Sequence, residues 1–446
     1  MSKKPMHIGL DDTDSTRRGC TTYIAAVLVE KLTKLGACFI DYPSLVRLNP
    51  NVPWKTRGNG ALCLRIRYDG KMENKIKETV TSTVEENADL DWKGTDPGIV
   101  FLSRPNIPRE IEDFSNRAVR GIVTLKEASS LLTKFNGEAI GYKNGRGIIG
   151  ALAAVGATFK GDYTFEVLVY RTSENRGTKR RVDEASILKM DQATTPSTFN
   201  NIDAERRRVI ITPRGPDPIL FGVRGENPET VEKAFQMIRC LEPVERWVIF
   251  RSNQGTDAHL RRVSNLSQLE RHGSITANGV ILSSPKMIKG RHVVFQLGDD
   301  VTSVDCAAYE PTGTLNRAAR QLIPGDSLEV SGSVRSSSPC EPITLNLEKF
   351  RVLSLAPKVS FQNPICSRCG KRLKSMGKDK GFRCEKCGFR DAKAEKIRVE
   401  KKRELKEELY VCSTRSQRHL TKPLVRYGLE KHDAGPEELI DCWHFP

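Results

Sequence analysis

The chain has 446 residues, 38% of them apolar, and carries 72 Lys and Arg against 55 Asp and Glu, a formal net charge of +17. No run approaches the roughly 20 apolar residues a bilayer span needs, and the first residues lead into a strand instead of a signal-type hydrophobic region; this excludes a membrane-spanning helix and points to a cytoplasmic protein. The length predicts roughly three domains or more, the charge predicts a polyanionic partner, and twelve cysteines in so long a chain are not a secreted disulfide framework.

The first hundred residues alternate strand and helix patterns. Strands are expected at His7 to Asp11, near Leu45, from Ala61 to Arg67 and from Ile99 to Ser103, with helices from Thr21 to Leu35 and Met72 to Glu86. That βαββαβ order predicts an open α/β sheet. The first strand ends in Asp11-Asp12-Thr13-Asp14, and Gly19-Cys20-Thr21-Thr22 opens the first helix. Three carboxylates this close cannot all stay ionised without cations, and a Gly/Thr-rich helix start offers backbone N–H groups to a phosphate. Asp11, Asp12 and Asp14 therefore mark a nucleotide and Mg²⁺ site. In Trp54-Lys55-Thr56-Arg57-Gly58-Asn59-Gly60, Lys55 and Arg57 stand ready to neutralise a phosphate that Gly58, Asn59 and Gly60 allow to approach the backbone. Helical segments from Arg109 to Asn136 lead to Gly145–Gly150, GRGIIG, where Gly147 and Gly150 suggest a second phosphate loop running into a helix. Neither loop is a Walker A sequence, and each taken singly reads equally well as a hairpin or a helix-packing set of glycines; together with the acidic cluster they make a coherent ATP–Mg²⁺ site.

A strand near Tyr163 to Tyr170 and a polar bridging stretch from Arg171 to Ala204 complete a catalytic domain over 1–200. Arg208–Thr212, Ile219–Val223, Pro228–Cys240 and Arg246–Arg251 read as strand, strand, helix, strand, a small ferredoxin-like ββαβ domain over 201–272. Five short alternating strands between Ile275 and Leu355 predict an OB-fold β-barrel over 273–356. Next come Cys366-x-x-Cys369 and, fourteen residues on, Cys384-x-x-Cys387. Four thiolates at this spacing make a closed tetrahedral Zn²⁺ site, structural in role, in a C-terminal zinc ribbon over 357–396. The ribbon span Lys358–Lys396 has 12 basic against 4 acidic residues and 397–446 has 10 against 9, so this C-terminal fifth holds +9 of the +17. The ribbon and a basic extension over 397–446 are thus expected to meet a nucleic-acid backbone. His419 and His432 read as isolated surface histidines. The fold class is multidomain α+β.

The motifs GLDDTDSTRRGCTTY, RLNPNVPWKTRGNGA, GIIGALAA and TPRGPDPILFGVRG, followed by a barrel and a ribbon, closely resemble the archaeal isoleucine-tRNA agmatidine synthase family over essentially the whole chain. The resemblance implies a ligase that joins agmatine to C2 of the wobble cytidine in the CAU anticodon of an isoleucine tRNA, consuming ATP and giving AMP and pyrophosphate. The C2 oxygen is a poor leaving group and must be phosphorylated before an amine displaces it. By resemblance, Asp11 and Asp12 bind Mg²⁺, Asp14 helps orient the phosphates, and Thr21 matches the family's autophosphorylated threonine. Lys55, Arg57 and the nearby glycines would stabilise the charge that develops. Cationic agmatine needs a carboxylate; Asp217 is the candidate, and a turn Asp between two prolines is an equally good account of it. Glu174 to Asp183 matches the family without an assignable role, and Cys412-Ser413 stands where the family often has a Pro pair. The alternative from another class is a non-catalytic single-stranded nucleic-acid-binding protein, because barrel plus ribbon recurs in such proteins. A pure binder has no use for three carboxylates beside two phosphate loops.

Overall fold

The opening apolar run forms β1 (Lys4–Asp11), flanked antiparallel by β3 (Gly60–Tyr68) and β4 (Gly98–Leu102). The structure, a computed structural model, describes residues 3–335, 342–432 and 435–446. β2 (Ser44–Arg47) adds to β3 and β5 (Glu138–Gly141) adds to β4. A second antiparallel set, β6 (Thr164–Arg171), β7 (Ile219–Gly225) and β8 (Val244–Ser252), joins the first through one parallel contact. That contact sets Ser44 and Leu45 against Arg251 and Ser252, and gives one sheet in the order β5-β4-β1-β3-β2-β8-β6-β7. The sheet runs on past residue 200, because β6 pairs with both β7 and β8. Alternation of apolar residues sets which face of a strand is buried; it does not say which strand lies beside it.

Helices cover the sheet where small residues admit them. In α5 (Gly147–Gly156) every residue from Ala151 to Val155 is fully buried. It lies so close to the strands that a Cβ on Gly9 would fall 2.2 Å from the Ala151 carbonyl oxygen. α1 (Thr21–Lys34) packs with α2 (Glu73–Asn87), and α3 (Arg109–Arg120) packs on α5, with α4 (Leu125–Phe135) beside it. The stretch read as polar and bridging contains α6 (Glu184–Thr194), capped by Asp183, whose side chain accepts from the Ala185 N–H. Only Ile187, Met190 and Thr194 of this helix are buried, too few to show as an apolar period in sequence. α7 (Pro228–Met237) starts as expected, with the Asn227 side chain accepting from the Thr230 N–H and Pro228 in the first turn. The strand expected at Arg208–Thr212 is reduced to a pairing of Arg208 and Val209 with Asp203 and Ile202.

Five strands close a separate barrel: β9 (Ser274–Ile281), β10 (His292–Gly298), β11 (Ser303–Ala308), β12 (Ser327–Arg335) and β13 (Thr344–Ser354). β9 pairs with β12 and β10, β12 with β13, and β13 runs parallel to β11, which returns to β10. A short helix, α8 (Thr314–Ala319), links β11 to β12. Beyond the barrel, Lys358–Gln362 pairs with Ile397–Lys401 as a stalk for the cysteine module. Gly370 and Gly388, at φ +71° and +72°, turn its two knuckles, and Cys366, Leu373, Phe382 and Cys384 form its small core.

The stretch 397–446 is divided among all the other parts. Leu409–Val411 pairs with β13, residues 419 and 420 hydrogen-bond to Gly255 and Asp257, and His444–Phe445 pairs with β8. Arg426, fully buried, donates to Asp162, Glu226 and the Gly255 carbonyl. This tail is therefore part of the core of the large sheet as well as of the barrel.

Two outcomes follow. Arg426→Met leaves Asp162 and Glu226 with only Lys422 and Lys431 as cations, and urea unfolding is expected to show a loss of about 2–4 kcal/mol. His7 accepts at Nδ1 from Arg65 and donates from Nε2 to the Arg104 carbonyl, both at 2.9 Å. Burial, then the Arg65 charge, pushes it down to about 3. The unfolded chain takes up this proton near pH 6.5 and the folded chain does not, so stability is full above that pH and falls as the pH drops toward 3. Between pH 7.5 and pH 5 the unfolding free energy should fall by about 1–2 kcal/mol on this account, and His7→Phe should lessen the drop.

Candidate active site

Where the two halves of the large sheet meet, a cavity of about 1170 Å³ opens between the end of β1, the 47–60 loop, β6, β7 and the tail. Asp12 sits at φ +57°, a left-handed position that Asp tolerates, which turns its carboxylate toward Arg146. Arg146 donates to Asp12 at 2.8 Å and to the Gly94 carbonyl at 2.7 Å, with Asp96 3.2 Å away. Asp11 has no such cation against it. Burial, followed by the Asp12 charge, holds its carboxyl well above the usual carboxylate range, and burial raises Asp12 as well. Asp14 accepts from Arg57 Nε at 2.7 Å, and the same guanidinium reaches the Gly19 carbonyl at 2.6 Å and lies 3.4 Å from Asp217.

The start of α1 forms the adjoining wall. Gly19 at φ +84° turns the chain into the helix; a Cβ there would lie 2.6 Å from the Thr13 carbonyl oxygen. Cys20 precedes the helix in extended conformation without a side-chain cap, and the first turn carries no acidic residue. The helix start thus presents N–H groups to an anion. Thr21 faces the cavity with its hydroxyl 3.0 Å from that of Thr13.

The sequence places Asp11, Asp12, Asp14, Thr21, Lys55, Arg57, Gly58, Asn59, Gly60, Gly150 and Asp217 at the site, and all of them line this one cavity. Gly147 lies behind the wall. Its N–H donates to the Asp96 carbonyl at 2.9 Å, while those of Ile148 and Ile149 go to Gly145 and Arg146. The glycines of GRGIIG admit close packing: a Cβ on Gly147 would lie 2.3 Å from the Gly98 nitrogen and one on Gly150 1.8 Å from the Asp11 carboxylate. Asp217 is fixed by Arg180, which bonds the Gly215, Asp217 and Ile219 carbonyls and, at 3.2 Å, the Asp217 carboxylate. The stretch Glu174–Asp183 thereby touches the site only from behind, through Arg180 on Asp217; its Arg176 lies over the Tyr23 ring at 4.6 Å, and neither of those residues lines the cavity.

Sequence reasoning missed Arg47, Arg146, Glu166, Arg224 and His419. Arg47, Arg146 and Arg224 were in view, inside RLNPNVPWKTRGNGA, GRGIIG and TPRGPDPILFGVRG; Glu166 and His419 carry no pattern that marks them as site residues. His419 is no isolated surface residue: it lines the cavity, with its Nδ1 2.8 Å from Arg224. His432 is exposed.

In the cysteine module, the Sγ atoms of Cys366, Cys369, Cys384 and Cys387 all lie within 4.8 Å of one another. The Cys366–Cys387 and Cys369–Cys384 pairs are 3.6 and 3.4 Å apart, near the roughly 3.8 Å edge of a tetrahedron with Zn–S bonds of about 2.3 Å. The four residues fit Zn²⁺ and leave no open position.

Comparison with known proteins follows these parts. Residues 7–144 match the TiaS TCKD domain, 145–259 the TiaS FLD domain and 363–405 the TiaS C-terminal zinc ribbon domain. The isoleucine-tRNA 2-agmatinylcytidine synthetase TiaS of Methanosarcina mazei is 44% identical over 432 residues, covering 94% of this chain and 97% of the relative. A crystal structure of TiaS in complex with its isoleucine tRNA and ATP is similar with TM-score 0.86 at 38% identity, and that of TiaS with the tRNA, AMPCPP and agmatine with TM-score 0.83 at 35% identity. Each covers 95% of this chain and is covered over 97% of its own length. The chain belongs to the isoleucine-tRNA 2-agmatinylcytidine synthetase (TiaS) family.

Proposed function

We propose that this protein is an ATP-dependent ligase that attaches agmatine to C2 of the wobble cytidine in the CAU anticodon of isoleucine tRNA, giving agmatidine, AMP and pyrophosphate. The observation that carries this reading is one cavity of about 1170 Å³ lined by Asp11, Asp12, Asp14 and Asp217 together with Arg47, Arg57, Arg146 and Arg224. It exceeds the roughly 300–1,000 Å³ of a site for one small ligand, as a reaction of three components requires. The two related complexes contain, in their own crystals, isoleucine tRNA, ATP or AMPCPP, and agmatine.

In this reading Asp11 and Asp12 hold Mg²⁺. Among the described residues only the four cysteines bring three or more ligand atoms within 4.8 Å; two carboxylates completed by phosphate oxygens and water are the usual Mg²⁺ set. When bound, the ion neutralises triphosphate charge and relieves the repulsion between Asp11 and Asp12. Asp14 orients Arg57, which with Lys55 faces the charge that builds on the transferred phosphoryl group, while Gly58, Asn59 and Gly60 let it approach. Thr21, at the N-terminus of α1, is the residue that undergoes autophosphorylation: its hydroxyl oxygen bonds the transferred phosphorus as the P–O bond to the rest of the nucleotide breaks, and its proton is released to solvent. Gly147 and Gly150 serve the ATP site by seating α5 behind Asp11. Asp217, held by Arg180, receives a cationic end of agmatine. In the net reaction a C–O bond at C2 gives way to a C–N bond, and the water equivalent released is taken up as ATP splits into AMP and pyrophosphate.

The docking modules follow the same logic. The five barrel strands close in the sequential order first, second, third, fifth, fourth, with α8 between the third and fourth, which supports an OB-fold over 273–356. The ferredoxin-like unit over 201–272 shares β6 with the catalytic unit over 1–200. The ribbon over 357–396 and the start of 397–446 offer basic surface to the tRNA backbone. We place the reaction in the cytoplasm, with its tRNA substrate; no helix among the described residues is long and apolar enough to cross a membrane.

Incubation of labelled agmatine with a CAU-anticodon isoleucine tRNA transcript, ATP and Mg²⁺ is expected to label the wobble cytidine, and Asp12→Asn and Thr21→Ala should each lower the rate about 100-fold or more. Intact tRNA binding without label would leave a nucleic-acid binder and remove the enzyme assignment. Stripping zinc with a chelator should unfold the ribbon's small core and weaken tRNA binding about tenfold or more, since basic contacts are lost. AMPCPP and agmatine binding, measured by calorimetry, should persist; their loss would place the ribbon inside the catalytic centre.

A further inference from the structure

The cationic end of the cavity is built from parts far apart in the chain. Arg224 Nη2 lies 2.8 Å from His419 Nδ1. A guanidinium only donates, so Nδ1 must be the lone-pair nitrogen and the ring proton sits on Nε2. That nitrogen faces Gly58: a Cβ there would lie 2.8 Å from His419 Nε2 and 2.7 Å from Arg47 Nη1. Two donor nitrogens thus lie side by side next to one glycine on the cavity wall, in space a Cβ would fill.

Both donors are held from behind. Gln254 accepts from Arg47 Nε at 3.2 Å and donates to Glu166 at 2.5 Å; Glu166 accepts from Arg224 Nε at 3.0 Å. The backbone that carries the imidazole is pinned as well, by the Gly255 N–H on the His419 carbonyl at 2.7 Å and the Asp257 N–H on the Leu420 carbonyl at 2.8 Å. Desolvation, then the charges of Arg47, Arg224 and Lys55, keeps the ring neutral. This end of the cavity repels a dication such as agmatine and suits an oxyanion.

We propose that the C-terminal tail supplies His419 as a binding residue of the active site, its Nε2–H joining Arg47 in donating to a phosphate oxygen beside Gly58. The phosphate belongs either to the nucleotide or to the tRNA backbone at the anticodon. The tail reaches this point only after leaving the barrel, so the centre is complete when the barrel, the tail and both sheet halves are docked. The proposal rests on the functional assignment above only for its kinetic readout.

The test uses the full chain with ¹⁵N-labelled histidine, His419 being identified among seven histidines by its loss in His419→Gln. His419 should remain the neutral Nε2–H tautomer from pH 6 to 8, and its Nε2 resonance should move on addition of AMPCPP or of a CAU anticodon stem-loop RNA, but not of agmatine alone. A shift with the first assigns the nucleotide, and with the second the RNA. A protonated ring, the other tautomer, or no shift with either anion overturns the proposal. In kinetics, His419→Phe should raise KM for the responding ligand about tenfold or more with an unchanged melting temperature, whereas His419→Gln, which can accept and donate, should stay within about threefold of wild type. Equal loss in both variants, or wild-type KM in His419→Phe, also overturns it. If the wild type forms no agmatidine, the functional assignment fails, and the resonance shifts still decide the anion site.

Discussion

The parallel seam between β2 and β8 is the contact on which the rest depends. Only Ser44 and Leu45 pair there with Arg251 and Ser252, and the pairing is reinforced from both sides. Ser252 Oγ donates to the Leu45 carbonyl at 2.7 Å, and the Asn253 side chain bonds both the Arg47 N–H and its carbonyl, at 2.8 and 2.9 Å. These bonds satisfy backbone groups that would otherwise be orphaned at an edge. They also bring two antiparallel half-sheets into register so that the end of β1 faces β6 and β7 across a gap. That gap is the cavity.

Charge in the cavity is paired within and across the two halves. Asp11, Asp12 and Asp14 come from the first half and would repel one another if left alone. Arg146 and Arg57 answer two of them, and Arg57 carries the link across to Asp217 in the second half. Asp11 makes no ion pair among the described residues and is lifted by burial and then by the Asp12 charge. On the far side Glu166 does the converse, anchoring Arg224 directly and Arg47 through Gln254. Carboxylates and guanidinium groups that both line the cavity are thus held in place by one another.

The tail binds these layers into one body. It pairs with the barrel, passes along the cavity and is locked by buried Arg426 before its last residues join β8. The cost of burying an arginine is offset by two carboxylates and a carbonyl. Because one segment pairs with the stalk of the cysteine module, with the barrel and with the large sheet, the separate sheets do not behave as beads on a linker, while the zinc site keeps its own small core.

Sequence alone determined what is set by short-range chemistry. The spacing of Cys366, Cys369, Cys384 and Cys387 specifies a tetrahedral metal site because ligand geometry follows from a few residues of chain. Asp11-Asp12-Thr13-Asp14 with Gly19 to Thr22 declares a charged strand-to-helix turn for the same reason, and the strands and most helices follow from apolar period. The α6 helix escaped because its buried face is only three residues wide. A glycine reads alike whether it admits a ligand or a neighbouring helix, so sequence left Gly147 and Gly150 open between the two, and the structure adds the close packing of α5 on the strands. What only the tertiary structure decided was pairing over long separations: Arg146 with Asp12 across 134 positions, and Arg224 with His419 across 195. Such contacts are fixed by which strands meet and where the tail returns, and no local pattern in the chain encodes them.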